Sequence, residues 1–246
     1  IVLEAGDYLR LHLHDDLMVS KKTGPTDLVT QMDQQVQNDL VEKITNRYPE
    51  DRIFAEEDGL RSPISEGSVW VIDPIDGTNN FVTQKEDFAV MVAYFEDGIG
   101  QFGLIYDVMR DYLFYGGGEF PVYRNEVELT PFVDQPLENF LISSNVGMLE
   151  KNDWGMADLG MDSLGIRVYG SAGISFSKIL SGGILAYFSY IWPWDYAAAA
   201  IMGERLGYTV LNLNGDQPNY QTVEPIMMVP KMKLTEIQTY LKKGRS

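Results

Sequence analysis

Four short apolar runs, Val69–Ile72, Phe88–Phe95, Leu104–Tyr106 and Leu113–Tyr115, are rich in β-branched and aromatic residues and are separated by Asp-Gly or Gly-rich turns. That pattern predicts strands of a mostly antiparallel sheet. The chain before them has a helical period. Val2, Ala5, Leu9, Leu13 and Leu17 share one face of a first amphipathic helix, and Leu28, Val29, Met32, Val36, Leu40, Val41 and Ile44 one face of a second. Ser20–Pro25 reads as a turn or hairpin between them, and Pro49 closes the second helix. After about Val133 the texture alternates: strand Phe140–Ser143, helix Trp154–Leu159, strand Ile166–Tyr169, helix Ser171–Leu180, strand Ile184–Phe188, helix Asp195–Leu206. This is an α/β rhythm. A soft boundary near Thr130–Gln135 divides an N-terminal α+β half, residues 1–132, from a C-terminal α/β half, residues 133–246. No repeat or long linker separates the halves, so they are expected to pack closely.

Charge and residue usage narrow the chemistry. Lys and Arg number 19 against 36 Asp and Glu, a net charge of −17 that repels nucleic-acid backbones. The longest apolar stretch is the eight residues Phe88–Phe95, far short of the ~20 a membrane-spanning helix needs, so no membrane partner is expected. There is no cysteine, which removes thiolate nucleophiles and sulfur-ligated zinc and fits a reducing, cytoplasmic compartment. His12 and His14 are the two histidines, too few for a multi-histidine metal site or an imidazole triad. An enzyme built from this chain must use carboxylates, hydroxyls and a hard metal ion.

Gly98-Ile-Gly-Gln-Phe-Gly103 matches the dinucleotide fingerprint but lies between two strand-like runs and opens no helix, so it reads as a hairpin turn and the strand after it. The acids are better placed. In Val69-Trp-Val-Ile-Asp73-Pro-Ile-Asp76-Gly-Thr78-Asn-Asn-Phe81 a strand runs into Asp73, Pro74 is expected to end its ladder, and Asp76-Gly-Thr-Asn supplies turn and capping residues. Arg52-Ile-Phe-Ala-Glu56-Glu-Asp58 is another apolar run tipped with acids, and Trp192-Pro-Trp-Asp195 precedes an alanine-rich helix that Gly207 would stop. Each has a plainer reading, with Asp76 or Asp195 as a helix cap and Glu56 on a solvated turn. Together they suggest oxygen ligands for Mg²⁺.

The sequence resembles the inositol monophosphatase family of the lithium-sensitive, magnesium-dependent phosphatases. The residues that carry the resemblance are Ala5-Gly6, Lys22, Pro25, Asp27, Thr30, Asp33, Ala55-Glu56-Glu57, Trp70 to Phe81, Gly170-Ser171-Ala172 and Trp194-Asp195-Tyr-Ala-Ala. The resemblance implies a layered α/β sandwich of αβαβα type and a homodimer. It also implies Glu56, Asp73 and the Ile75 carbonyl on a first Mg²⁺, Asp73, Asp76 and Asp195 on a second, and Glu56 with waters on a third. Thr78, bonded to Asp33, would orient the attacking water with help from Glu56. Asp76, Gly77, Thr78, Gly170, Ser171, Ala172, Arg167 and Asp195 would face substrate, although an arginine ending a strand serves equally as an ion-pair partner.

Two departures from the family pattern stand out. Ala55 replaces the usual glycine before Glu56-Glu57, and Phe188 stands seven residues before Asp195, where animal relatives carry a hydroxyl-binding glutamate. Phe188, Tyr190 or Trp192 would then wall the pocket, or else belong to the core or a dimer interface. The expected activity is a Mg²⁺-dependent phosphomonoesterase acting on a small polyol or sugar phosphate. The alternatives are a phosphatase for 3′-phosphoadenosine phosphates or the NADP 2′-phosphate, and a regulatory binding protein on the same fold.

Overall fold

The computed structural model describes residues 1–15, 19–21 and 28–243. Leu17 of the first predicted helix, and Lys22, Pro25 and Asp27 of the resemblance, lie outside the described residues. Helix α1 (Val2–Leu11) is followed by the short antiparallel pair β1 (Val19–Lys21) and β2 (Leu28–Thr30), and then by α2 (Gln31–Arg47). The second helix thus starts three residues later than its apolar period suggests. Thr30 caps it by accepting from the Met32 N–H at 3.0 Å, which fixes the start.

A seven-stranded sheet follows: β3 (Arg52–Ala55), β4 (Ser68–Asp76), β5 (Ala89–Glu96), β6 (Ile99–Asp107), β7 (Tyr112–Gly117), β8 (Phe120–Arg124) and β9 (Val127–Glu128), in that spatial order. The short helix α3 (Thr78–Thr83) leaves the end of β4. All neighbours pair antiparallel except β3 and β4, which run parallel. The remaining elements are β10 (Leu141–Ser144), α4 (Val146–Glu150), α5 (Met156–Asp162), β11 (Gly165–Arg167), α6 (Ala172–Leu180), β12 (Tyr187–Ile191), α7 (Pro193–Arg205), β13 (Tyr208–Asn212), β14 (Glu224–Pro230) and α8 (Leu234–Lys243). They form a five-stranded mixed sheet in the order β11-β10-β12-β14-β13, with its helices.

Strand alternation builds the layers. Trp70, Ile72, Val90 and Val92 pack with Val2, Leu9, Val36 and Leu40 of α1 and α2. Their neighbours Val69, Val71, Met91 and Ala93 face the other way, onto Ile174, Phe176, Tyr196 and Ala197 of α6 and α7. The five-stranded sheet closes that middle layer with Tyr187, Ile191, Tyr208 and Met228, and turns Phe188, Met227 and Val229 outward onto Met148, Leu159 and Ile237. The result is an αβαβα sandwich.

Small residues let α7 lie close to the sheet. A Cβ on Gly103 would come within 2.4 Å of the Ala198 carbonyl, and one on Gly100 within 2.4 Å of Ile201. Two glycines of the fingerprint-like Gly98–Gly103 segment are therefore packing residues on β6, after the turn at Asp97-Gly98.

Candidate active site

Three chain segments end at one point. Ala55 of β3 lies opposite Ile72 of β4, so the next residues, Glu56 and Asp73, leave the parallel pair side by side, and the Glu56 N–H extends the ladder to the Ile72 carbonyl at 3.1 Å. β4 does not stop at Pro74, as the sequence suggested. Its register slips between Asp73 and Asp76, where Asp76 resumes pairing opposite Ala89. Residues three apart in a regular strand point to opposite faces, and this irregularity around a residue with no N–H lets both carboxylates join one cluster. Asp195 arrives from the middle layer at the third position of α7, with its carboxylate accepting from the Trp192 N–H at 2.7 Å. It is not the N-cap. One carboxylate oxygen from each of Asp73, Asp76 and Asp195 lies within 4.8 Å of the others, and the Glu56 side chain is hydrogen-bonded to Asp73.

Asp76 has donors of its own. The Ser171 hydroxyl and the N–H groups of Ala172 (3.0 Å) and Gly173 (2.8 Å) all bond its carboxylate. Asp76 thus caps a helix, but it is α6 from across the molecule and not the local α3. Gly77 makes this approach possible. At φ +88° a Cβ there would be strained and would sit 3.0 Å from the Ser171 Cβ.

Burial pushes the Asp73 carboxyl well above the ordinary range, and the charges of Glu56, Asp76 and Asp195 push it further. Asp195 is raised well above it too, by burial and then by Asp76 and Glu56. Asp76 is raised too, by burial, with the three donors opposing. Carboxylates crowded out of water are costly without a compensating cation. A donor set made wholly of oxygens suits a hard divalent metal such as Mg²⁺, Mn²⁺ or Ca²⁺.

Beside the acids, Thr78 Oγ1 donates to Asp33 Oδ1 at 2.9 Å and also lies 3.1 Å from the Ile75 carbonyl. Asp33 is fully buried, and its other oxygen accepts from the Thr30 N–H and hydroxyl at 2.7 Å each. Two supports have no counterpart in the sequence reading. Gln37 clamps the acidic turn through both Glu57 backbone groups, at 2.7 and 3.0 Å. Asn80 Nδ2 donates to the Asp87 and Tyr169 carbonyls at 2.9 and 2.7 Å, tying α3 to the loop before α6. Asn80 was visible within the Asp73–Phe81 motif, whereas Gln37 sits on a helix face with no local signal.

Residues 1–243 match the profile of the inositol monophosphatase family. The chain belongs to that family. It is 35% identical to the inositol-1-monophosphatase of Bacillus subtilis over 221 residues, 87% of this chain and 83% of that protein. The solved staphylococcal IMPase-II superposes with a TM-score of 0.88 at 30% identity, covering 98% of this chain and 90% of that one. An IMPase/NADP phosphatase solved with Mg²⁺ and phosphate gives a TM-score of 0.88 at 26% identity, covering 97% and 91%. As an inositol monophosphatase family member the chain is a phosphoric monoester hydrolase with the family's metal-dependent chemistry.

In this family member a cleft of about 320 Å³ adjoins Asp76 and Asp195, walled by Ser144, Asn145, Val146, Val168, Tyr169, Gly170, Ser171, Ala172, Tyr187, Ser189 and Ile191. Phe188 is not in it. On β12 the residues Tyr187, Ser189 and Ile191 face the cleft, so Phe188 points to the opposite side of the sheet and is fully buried among Met148, Leu185 and Met227. Of the two readings of Phe188, pocket wall or core, the structure supports the core, and Ser189 lines the cleft in its place. Tyr190 is exposed, and Trp192 stacks on Trp194 with centroids 4.7 Å apart; neither lines the cleft. Arg167 is exposed, donates to the adjacent Ile166 carbonyl at 2.9 Å, and is not among the lining residues. Gly170, Ser171 and Ala172 do form cleft wall, with the Ser171 and Ala172 donors turned onto Asp76.

Proposed function

We propose that this chain is a Mg²⁺-dependent phosphomonoesterase in which Glu56, Asp73, Asp76, Asp195 and the Ile75 carbonyl hold two or three Mg²⁺ ions. The observation that carries the reading is the convergence of Asp73, Asp76 and Asp195 within 4.8 Å of one another, next to the Thr78–Asp33 pair. The Mg²⁺ in the IMPase/NADP phosphatase structure supports the choice of ion. Bound Mg²⁺ supplies positive charge to phosphate oxygens and acidifies a coordinated water. The Thr78 hydroxyl donates its hydrogen bond to Asp33 and so keeps lone pairs with which it would accept from an attacking water, which Glu56 would help to orient. The N–H groups of Gly77 and Thr78, at the start of α3, are the phosphate-oxygen donors in this reading.

The cleft sets the substrate class. Asp76 and Asp195 are the charged residues in its lining; the rest is hydroxyl, amide, aromatic and aliphatic. Such a wall suits an uncharged leaving group, a polyol, sugar or nucleoside, and places no cationic side chain against a second phosphate. The Val146, Val168 and Tyr169 side of the wall keeps the nucleotide-directed reading as the second choice. A regulatory role without catalysis fits poorly with a full set of acids. Loss of a charge-assisted bond such as the family's glutamate provides costs about 1.5–3 kcal/mol. Inositol 1-phosphate should therefore exceed other small phosphomonoesters by less than about a hundredfold in kcat/KM. The test is phosphate release, with Mg²⁺ and with chelator, from inositol 1-phosphate, a sugar phosphate, NADP and adenosine 3′,5′-bisphosphate. Equal release in chelator sinks the metal reading, and a preference for the bisphosphate sinks the leaving-group argument. The same reading includes inhibition by Li⁺ with Na⁺ as control, a homodimer, a cytoplasmic location and two closely packed halves, residues 1–132 and 133–246.

A further inference from the structure

We infer that Arg61 is a positioning residue that sets the spacing between the two arms of the acid cluster, the end of β3 bearing Glu56 and the start of α7 bearing Asp195. After Glu56 the chain doubles back, so that the Ala55 N–H meets the Leu60 carbonyl at 3.0 Å and the Ser62 N–H meets the Ile53 carbonyl at 3.2 Å. This puts Arg61 beside the strand it has just left. One guanidinium nitrogen donates to the carbonyls of Ala55 and Leu60, and the other to the Glu56 carbonyl at 3.2 Å. The Cζ of the same group lies over the rings of Trp194 and Phe54, 4.6 and 5.6 Å from their centroids. Trp194 is buried, tilted against Phe54 at 5.6 Å and stacked on Trp192 at 4.7 Å. It is also the residue immediately before Asp195. A single cation therefore holds the segment that presents Glu56 through its N–H groups and lies over the ring of the residue next to Asp195.

Arginine is required for this. A guanidinium offers a rigid fork to several carbonyls while its face stays on an indole, whereas an ammonium is a point charge with no face. The inference rests on the reading that Glu56 and Asp195 hold Mg²⁺. Outer-shell partners that orient metal ligands typically change affinity by about 10–100-fold when mutated. That is the effect expected of Arg61.

The test is a calorimetric titration of the whole chain with Mg²⁺, beside thermal unfolding and steady-state kinetics, for the wild type, Arg61→Met, Arg61→Lys, Trp194→Leu and Asp195→Asn. Arg61→Met should bind Mg²⁺ about 10–100-fold more weakly. Its KM for substrate at saturating Mg²⁺ should be unchanged, and its kcat should be largely restored by excess Mg²⁺. Arg61→Lys should fail to recover the affinity. Wild-type Mg²⁺ affinity in Arg61→Met, or full recovery by lysine, overturns the inference. If both Arg61 variants fail to fold, Trp194→Leu decides, because it removes the indole face from the other side; wild-type affinity there overturns it equally. Asp195→Asn separates this from the reading beneath: loss of Mg²⁺ binding there with normal binding in the Arg61 variants overturns the positioning role alone. Unchanged binding in Asp195→Asn overturns the metal assignment and the inference with it.

Discussion

Asp76 is met by the Ser171 hydroxyl and two N–H groups at the start of α6, whereas Asp73, three residues earlier on the same strand, has the Ile75 N–H at 3.1 Å and the carboxylates of Glu56, Asp76 and Asp195 around it. Both are buried. The charge of Asp76 is answered in part by the protein, through hydrogen bonds and the positive end of a helix, although burial still holds its carboxyl above the ordinary range. That of Asp73, and with it Asp195, is left for a cation to answer. The site is thus part scaffold and part binding demand, and the two parts should respond to mutation by different amounts.

The largest effect is expected from removing the demand. Asp73→Asn should lower kcat by at least about 10²–10³-fold, the scale for losing one preorganised electrostatic group. Without metal, the same variant should melt higher than the wild type at neutral pH, because it deletes a buried charge surrounded by like charges. Asp76→Asn should also lose most activity but should gain less in melting temperature than Asp73→Asn, since relief of the buried charge is offset by three donors losing their anionic acceptor. Equal shifts in melting temperature for the two variants would erase the distinction.

A smaller effect, readable in the wild type, is the pH dependence of metal-free stability. Asp73 and Asp195 have folded-state pKa values raised above those of the unfolded chain. The folded state therefore binds the extra protons, and its advantage is complete below the unfolded value of about 3.9. It is lost as pH rises through the raised folded values. In chelator, thermal scans should show this contribution falling from about pH 4 upward. With Mg²⁺ the carboxylates are held ionised, so the rise in Tm that Mg²⁺ produces should grow with pH. A rise of the same size at pH 4.5 and 7.5 would break the argument.

Much of this arrangement was legible in the sequence, because strand, turn and cap signals are local. The acid-tipped runs reaching Glu56 and Asp73, the α7 helix stopping at Gly207, and the turn before β6 all lie where their residues predict. What was missed depends on parity or on distant partners. The position of Phe188 counted along the chain leaves pocket wall and core both open; a strand shows alternate residues to opposite faces, and that parity sends Phe188 to the outer core. Pro74 was read as the end of a strand that instead slips its register and goes on. Asp76 reads locally as a cap for the helix after it, while its donors lie 95 to 97 residues ahead. No local pattern encodes that pairing.

The smallest expected effect tests the scaffold side by itself. Ser171 both donates its hydroxyl proton to Asp76 and accepts from the Ile174 N–H at 3.0 Å, as the N-cap of α6. Ser171→Ala removes both bonds but leaves the Ala172 and Gly173 N–H groups on the carboxylate. Loss of such a cap costs about 0.5–2 kcal/mol, and chemical denaturation should return a value in that range. Asp76 keeps two of its three donors and the cluster keeps its acids, so kcat at saturating Mg²⁺ should fall by less than about tenfold, below the scale for losing a whole electrostatic group. A loss as large as that of Asp73→Asn would mean that the Ser171 hydroxyl takes part in the reaction, and the division between scaffold and demand would have to be redrawn at that residue.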